Sequence, residues 1–168
     1  MHPLRASLVA AATASILSSP ATAAAAEPIK PLRFFEGRTE GSGTIKLFMK
    51  KPYRSRSIGR GVIEPDGSLV LVQRVEDDGK PPRVRRWLIR QTGPGHYSGT
   101  MSEAAGPVTI DEVGGNYRFR FTMKGHFAVE QWLFPLPGGM AARNSMKVRR
   151  FGMTVGTSDG TIRKLAGS

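Results

Sequence analysis

The stretch NYRFRFTMK, residues 116–124, decides how the rest of the chain is interpreted. Apolar residues alternate here with basic and polar ones. The first set is Tyr117, Phe119, Phe121 and Met123, and the second is Arg118, Arg120, Thr122 and Lys124. A period of two places the two sets on opposite faces of an extended chain. The pattern predicts a strand that buries its aromatic face and turns its arginines to solvent.

Similar alternating runs lie on both sides of this stretch. They are 68–76, 84–91, 96–102, 127–134, 145–150, 153–157 and 161–165. Clusters of Gly, Pro and Asp typical of tight turns separate many of them, and one such cluster is 158–160. After residue 30 no run of about ten residues keeps the 3.6-residue period of a helix. We therefore expect nine or ten antiparallel strands, in a sandwich or, as favoured, in a closed barrel that leaves no exposed edge.

The stretch FFEGRTEGSGTIKLFM, residues 34–49, has a glycine spacing that two structures could explain. A phosphate-binding loop would continue into a helix, usually through a Lys-Ser or Lys-Thr pair. Here Thr-Ile-Lys follows the last glycine, and no helical pattern appears. Alternation instead places all three glycines on the apolar face, in the row Gly37, Gly41, Gly43, Ile45, Leu47 and Met49. The sequence thus predicts the coiled first strand of a barrel, with this row facing inward.

Residues 1–26 have the composition of a secretory signal. A basic residue precedes an apolar run, and small residues that allow cleavage after Ala23 or Ala26 follow it. A membrane-spanning helix would need about 20 strongly apolar residues, whereas this run is rich in Ala and Ser and is broken by Pro20. We expect cleavage there, which leaves 27–168 as a single barrel domain.

The chain contains no cysteine, which excludes a disulfide framework, a thiolate metal site and a lipid-acceptor cysteine. We therefore expect a periplasmic or secreted bacterial protein without a lipid anchor. Its net charge of +12 over 168 residues favours contact with an anionic membrane or lipopolysaccharide. The alternative is that the charge only maintains solubility.

Nucleic acid is not expected as a partner. The alternation of Arg and Phe over 118–121 loosely resembles strands that stack bases. The arginines should nevertheless lie opposite the phenylalanines, and the rest of the RNA-recognition signature is missing.

The sequence contains no recognisable catalytic or metal-binding constellation. His96 and His126 are thirty positions apart with no acidic cluster beside either, whereas a metal site commonly needs three or four ligands. The pair Asp77 and Asp78 precedes Gly79 in an evident turn, and no Gly-x-Ser-x-Gly motif occurs. We expect a protein that is not an enzyme, with no cofactor and no bound metal.

A closed barrel can instead enclose a small hydrophobic or lipid-like ligand. The candidate ligand-binding residues are Arg38, Arg86, Trp87, Tyr97, Asn116 and Trp132. The aromatic members would line the interior, and the arginines and the asparagine would anchor polar groups. The alternative is a structural or interaction protein whose aromatic residues fill the barrel and whose basic outer surface contacts anionic envelope components.

Five stretches connect the chain with a known family. They are FFEGRTEGSG (34–43), RRWLIRQTGPGHYSGT (85–100), GGNYRFRF (114–121), EQWLFP (130–135) and KVRRFGMTVG (147–156). In this order they resemble the domain of unknown function 3833 family, over residues 32–165. The resemblance implies a lipocalin-like or calycin-like barrel at the bacterial envelope, and it implies no particular activity. Many members carry a lipobox cysteine and an acidic pair before the second tryptophan, whereas this chain has no cysteine and has Glu130-Gln131.

Overall fold

The computed structural model describes residues 30–166, which form a closed, all-antiparallel barrel. One short helix precedes ten strands. They are α1 (Pro31–Phe35), β1 (Gly37–Leu47), β2 (Tyr53–Ile63), β3 (Leu69–Asp77), β4 (Arg83–Gly93), β5 (His96–Met101), β6 (Val108–Val113), β7 (Asn116–Met123), β8 (Phe127–Pro135), β9 (Ala141–Arg150) and β10 (Met153–Lys164). The prediction of an up-and-down barrel of nine or ten strands is confirmed.

Each strand pairs with its neighbours in sequence, and β1 closes the barrel by pairing with β10. The closing register runs from Thr39 opposite Lys164 to Leu47 opposite Gly156. On its other edge β1 pairs with β2, from Gly37 opposite Gly61 to Ile45 opposite Tyr53. Closure satisfies the backbone hydrogen bonds that two free edge strands would leave exposed.

Large apolar side chains fill the part of the interior bounded by β3 to β8. The indole of Trp87 meets the rings of Phe119 and Phe121 edge to face, with centroids 6.4 and 5.8 Å apart. Leu69, Ile110 and Leu133 are almost completely buried around them. The predicted alternation of 116–124 is therefore present, and the aromatic row of β7 forms a large share of the core.

The facing wall, formed by β1, β2 and β10, carries small inward residues. They are Gly41, Gly43, Ser55, Ser57, Gly59, Ser158 and Gly160. At Gly41 an added Cβ would lie 2.6 Å from Ser57 Oγ, and at Gly43 it would lie 2.6 Å from the carbonyl oxygen of Asp159. These strands pass close to one another because their inward positions lack bulk. The prediction that the early glycines belong to an inward strand row is confirmed for Gly41 and Gly43.

Three details differ from the expectations. Met49 does not continue the inward row, because β1 ends at Leu47 and Met49 is 88% exposed in the following turn. The cluster 158–160 is not a turn but the middle of β10, where Gly160 pairs with Gly43. β2 was not expected, because its inward row is mostly Ser and Gly and so lacks hydropathic alternation.

Helix α1 covers one end of the barrel. Its residues Leu32, Phe34 and Phe35 are buried, and the carbonyl of Phe35 lies so close to Gly61 that a Cβ there would collide with it. The turns 64–68, 94–95, 114–115 and 136–140 belong to this closed end, and we call the opposite end, which no helix covers within residues 30–166, the open end. Within residues 30–166 no helix is long and apolar enough to cross a membrane. The predicted signal, 1–26, lies outside the described residues.

Two core tyrosines, Tyr97 and Tyr117, make the free energy of unfolding depend on pH in the alkaline range. Burial raises the pKa of both phenols, and the charge of Glu112 adds to the shift. A phenol whose pKa is higher in the folded state contributes its full stabilisation below its unfolded value of about 10 and loses it as the pH rises through the folded value. We expect the free energy of unfolding to fall above about pH 10, and Tyr117→Phe to make that decline shallower. Urea unfolding at a series of alkaline pH values measures how steeply the free energy of unfolding falls in the wild type and in the variant. Equal slopes for the two proteins would contradict the role given to Tyr117.

Candidate functional site

A cavity of about 140 Å³ lies inside the barrel, between the small-residue wall and the aromatic core. It exists because the inward positions of β1, β2 and β10 provide too little side-chain volume to reach Trp87 and Phe119. The other lining residues of the interior include Phe35, Leu71, Gln73, Val75, Arg83, Arg85, Ile89, Gln131, Asn144, Met146 and Ile162. The lumen is therefore partly filled and partly open.

The lining is apolar at the end closed by α1 and becomes mixed, polar and apolar, along the barrel axis. Phe35 and Ile89 lie towards the end closed by α1. Amide side chains lie near the middle, where Gln73 accepts a 2.8 Å hydrogen bond from the indole Nε1 of Trp87, and Gln131 donates a 2.7 Å bond to Asn144. An amide carries both donors and an acceptor, so each of these groups has capacity for a further partner. The cavity thus combines an apolar floor with a hydrogen-bonding belt.

An ionic cluster stands where the cavity approaches the open end. Arg83 donates to Asp77 at 2.7 Å and to Glu103 at 3.1 Å, and Arg85 donates to Glu103 at 2.5 Å. One carboxylate therefore joins two inward arginines of β4. Both arginines line the cavity, so a ligand carboxylate or phosphate at this position could share their guanidinium donors.

Asp77 is the most deeply buried member of this ionic cluster, with 3% of its side chain exposed. Burial acts to raise the pKa of its carboxyl, but the Ser55 hydroxyl and Arg83 outweigh that effect, so the pKa lies below its ordinary value. The atom Oδ1 has no hydrogen-bond partner within the described residues. Asp77 is therefore a charged group that fixes Arg83, with one oxygen left for an additional donor.

The structure separates the six predicted ligand-binding residues into two groups. Trp87 and Tyr97 are buried inside the barrel, and of these two only Trp87 lines the cavity. Arg38, Arg86, Asn116 and Trp132 belong to outward rows, because each is adjacent in sequence to an inward residue of its strand. The expected placement of Trp132 in the interior lining is therefore corrected, and the three candidate polar anchors, Arg38, Arg86 and Asn116, lie on the outer face. A role of any of the six in binding stays a prediction.

Trp132 lies in an aromatic and basic stack on the outer face. Its ring stacks on Phe134 with centroids 6.0 Å apart and planes inclined by 14°, and the Arg118 guanidinium lies 5.7 Å from its centroid. The indole Nε1 donates to Glu130 at 3.3 Å. On β8 the inward positions are taken by Val129, Gln131 and Leu133, so the register turns a glutamine inward and places the tryptophan on the outer face.

Sequence reasoning missed the polar side chains that line the cavity. Arg83 and Arg85 share the inward row of β4 with Trp87. Alternation counted back from Trp87 would have identified them, and would have placed Arg86 outside. Gln131 and Asn144 gave no such signal, because polarity alone assigns an amide to the surface.

His96, a possible ligand on sequence grounds, serves a surface contact. Its Nδ1 lies 3.0 Å from Asp111, which also accepts a 2.7 Å bond from Arg120. The hydrogen bond with His96 and the contact with Arg120 lower the pKa of Asp111. Within residues 30–166 no group of three or more His, Asp or Glu side chains is arranged to hold a metal ion. The absence of a metal stays a prediction.

The closed antiparallel barrel with a partly open interior defines the class as a lipocalin-like barrel. More particularly, the chain belongs to the family described as protein of unknown function (DUF3833), whose model matches residues 9–164. The resemblance of the five quoted stretches to that family is confirmed. No curated protein matches the chain.

The barrel is also similar to a solved structure, the S-type phycobiliprotein lyase CPES from Guillardia theta. The TM-score is 0.65 at 7% identity, covering 82% of this chain and 92% of the lyase chain. Such a likeness concerns the fold. The prediction that the protein is not an enzyme is wrong. It rested on missing catalytic motifs, whereas this fold occurs in a protein named as a lyase.

Proposed function

We propose that the protein is an exported lipocalin-like barrel that binds a small amphipathic, lipid-like molecule at the bacterial envelope. The observation that carries the proposal is the cavity of about 140 Å³, which the fold leaves open beside Trp87. An unfilled space in a protein interior forfeits packing energy. A bound apolar group in this cavity would restore those contacts.

The size of the cavity limits the ligand. Drug-sized ligands occupy pockets of about 300 to 1,000 Å³, whereas an apolar cavity of roughly 150 Å³ accommodates a benzene molecule. The cavity therefore suits one end of a ligand, such as a short acyl chain or a single ring. Met146, a flexible lining residue, could move to admit a longer chain.

The polar lining defines the other end of the ligand. Gln73 lies beside the cavity, and Arg83 and Arg85 lie where it approaches the open end. An acidic head group would fit this arrangement, because guanidinium groups bind carboxylates and phosphates with paired hydrogen bonds. The alternative of a completely filled barrel is less favoured, because it gives no role to the unfilled volume.

Native mass spectrometry of the protein from its own periplasmic fraction tests export and binding together. We expect a chain mass that begins after Ala23 or Ala26, and an adduct that dissociates as a small amphiphile. A full-length mass found only in membranes would contradict export. A ligand-free periplasmic chain that also fails to bind the probe described next would contradict the carrier proposal.

Octanoate, a carboxylate with a short apolar chain, is the probe for binding in solution. In a Trp132→Phe background, Trp87 is the sole tryptophan and reports directly on the cavity. We expect octanoate to change its fluorescence, and Arg85→Gln to weaken binding by about tenfold or more, the usual effect of losing a charge-assisted hydrogen bond. Arg86→Gln removes the same charge from the opposite face of β4 and serves as the matched control. Equal weakening by both variants would rule out the inward anchor.

A further inference from the structure

Four large apolar side chains are exposed together at one corner of the open end. They are Phe48, Met49, Phe151 and Met153, which are 72%, 88%, 78% and 66% exposed. The first two follow β1, and the last two lie at the turn between β9 and β10. We call this group the apolar corner. Exposed apolar side chains that cluster in this way mark a surface used for contact.

Strand pairing holds the two turns side by side. The backbone N–H of Phe48 donates to the carbonyl of Val155 at 3.0 Å, directly beyond the pairing of Leu47 with Gly156. Met153 and Phe151 precede Val155 by two and four residues, which corresponds to about 7 and 13 Å along the chain. The four side chains therefore belong to one patch on the rim of the barrel.

The two segments that carry the apolar corner are basic. Segments 46–52 and 147–153 contain no acidic residue and six basic ones. These are Lys46, Lys50, Lys51, Lys147, Arg149 and Arg150, all of them exposed. None of the six forms an ion pair with a described residue, whereas Arg33, Arg56 and Arg74 elsewhere on the surface each pair with a glutamate. The corner is thus a concentrated positive charge available to an external anion.

The backbone at the apolar corner is held in a costly conformation. Met49 and Phe151 have φ angles of 56° and 49°, in the left-handed region that disfavours residues with a side chain. Within residues 30–166 the third such residue is His126, at the neighbouring turn of the same end. Met49 and Phe151 are largely exposed, so burial does not compensate for this strain in the isolated protein. The turn hydrogen bond from the backbone N–H of Lys50 to the carbonyl of Leu47, at 3.1 Å, holds Met49 in this conformation.

We propose that the apolar corner and its six cations dock the barrel onto the surface of an anionic phospholipid membrane. Phe48 and Phe151 enter the boundary between head groups and acyl chains, and the surrounding lysines and arginines pair with lipid phosphates. The combination of an apolar tip with a basic collar matches that surface and fits poorly with an acidic protein groove, which would leave the phenylalanines in contact with charge. The inference does not depend on the ligand proposed for the cavity.

Sedimentation with vesicles tests the docking directly. The probe is a phosphatidylcholine vesicle with or without phosphatidylglycerol. We expect binding only when phosphatidylglycerol is present, and weaker binding at high salt. Lys50→Gln with Lys51→Gln should reduce the partition coefficient roughly 30-fold, since each cation near an anionic surface contributes about fivefold. The charge-matched control is Arg60→Gln with Arg163→Gln, two exposed cations distant from the apolar corner, which should have little effect.

A second pair of variants tests the apolar contribution. Phe48→Ser with Phe151→Ser should abolish the binding that survives high salt, while Ile58→Ser with Val62→Ser, exposed on the outer face of β2, should leave it unchanged. Thermal unfolding confirms that each variant is folded. Absence of wild-type binding to anionic vesicles, or equal losses in corner and control variants, would overturn the proposal. So would a dimer that requires Phe48 and Phe151, because the corner would then bind a second copy of the chain.

Discussion

Replacing Gly43 by leucine is expected to destabilise the barrel by about 3 kcal/mol or more, at the upper end of what overpacking costs. A Cβ at this position would lie 2.6 Å from the Asp159 carbonyl oxygen and 3.1 Å from the Cα of Gly160. Both atoms belong to the backbone of β10, so β1 and β10 would have to separate at the pairing that closes the barrel. Because whole domains are stable by only about 5 to 15 kcal/mol, urea unfolding should show an early transition or an unfolded chain.

Two other glycines provide the controls for this substitution. At Gly41 the nearest obstacle is Ser57 Oγ at 2.6 Å, a side-chain atom that can rotate away, so Gly41→Leu should cost less than Gly43→Leu. At Gly93 no atom lies within 4 Å of an added Cβ, so Gly93→Leu should be nearly neutral. An order of damage other than Gly43, Gly41, Gly93 would contradict the explanation by backbone contact.

Truncation of the cavity-lining tryptophan, Trp87→Ala, should cost about 3 to 5 kcal/mol. The change removes the edge contacts with Phe119 and Phe121 and the 2.8 Å hydrogen bond to Gln73. It also joins the volume of the indole to the existing cavity. Denaturant unfolding should therefore show a lower midpoint, and octanoate should lose its defined site in whatever fraction remains folded.

The second tryptophan is the natural comparison for this substitution. Trp132→Ala removes a ring of the same size from the outer face, where it stacks on Phe134, and should cost clearly less than Trp87→Ala because less area is buried. Trp87→Phe separates packing from hydrogen bonding, since it keeps an aromatic ring but leaves the Gln73 carbonyl without its indole donor. If the two alanine variants were equally destabilised, the assignment of Trp87 to the core and Trp132 to the surface would be wrong.

The strands could be predicted wherever apolar and polar residues alternate. They could not be predicted where small and large side chains alternate instead. Strand β7 was evident because Tyr117, Phe119 and Phe121 oppose Arg118 and Arg120. In β2 the inward residues are small rather than apolar, so Ser55 and Ser57 give no hydropathic signal although they line the cavity. Small residues also occupy 158–160, which are typical of a turn. Pairing with β1 nevertheless keeps this segment within strand β10.

The site was harder to predict than the fold, because neighbours in sequence face opposite sides of a strand. Arg86 and Trp132 were selected by residue type, and the register turned both outward. Arg85, two positions from Trp87, faces inward instead. The bond between Gln131 and Asn144 depends on the pairing of β8 with β9, which no pattern within either segment specifies.

The position of helix α1 has a consequence for how the barrel is oriented relative to a membrane. Helix α1 lies at one end of the barrel, whereas the apolar corner lies at the opposite end, about 30 Å away. If an N-terminal segment stayed in a membrane, it would hold α1 near that membrane. The apolar corner would then face the membrane on the other side of the compartment. A processed chain could dock on either surface. Removal of 1–26 would then free the apolar corner to reach either bilayer, in addition to releasing the barrel.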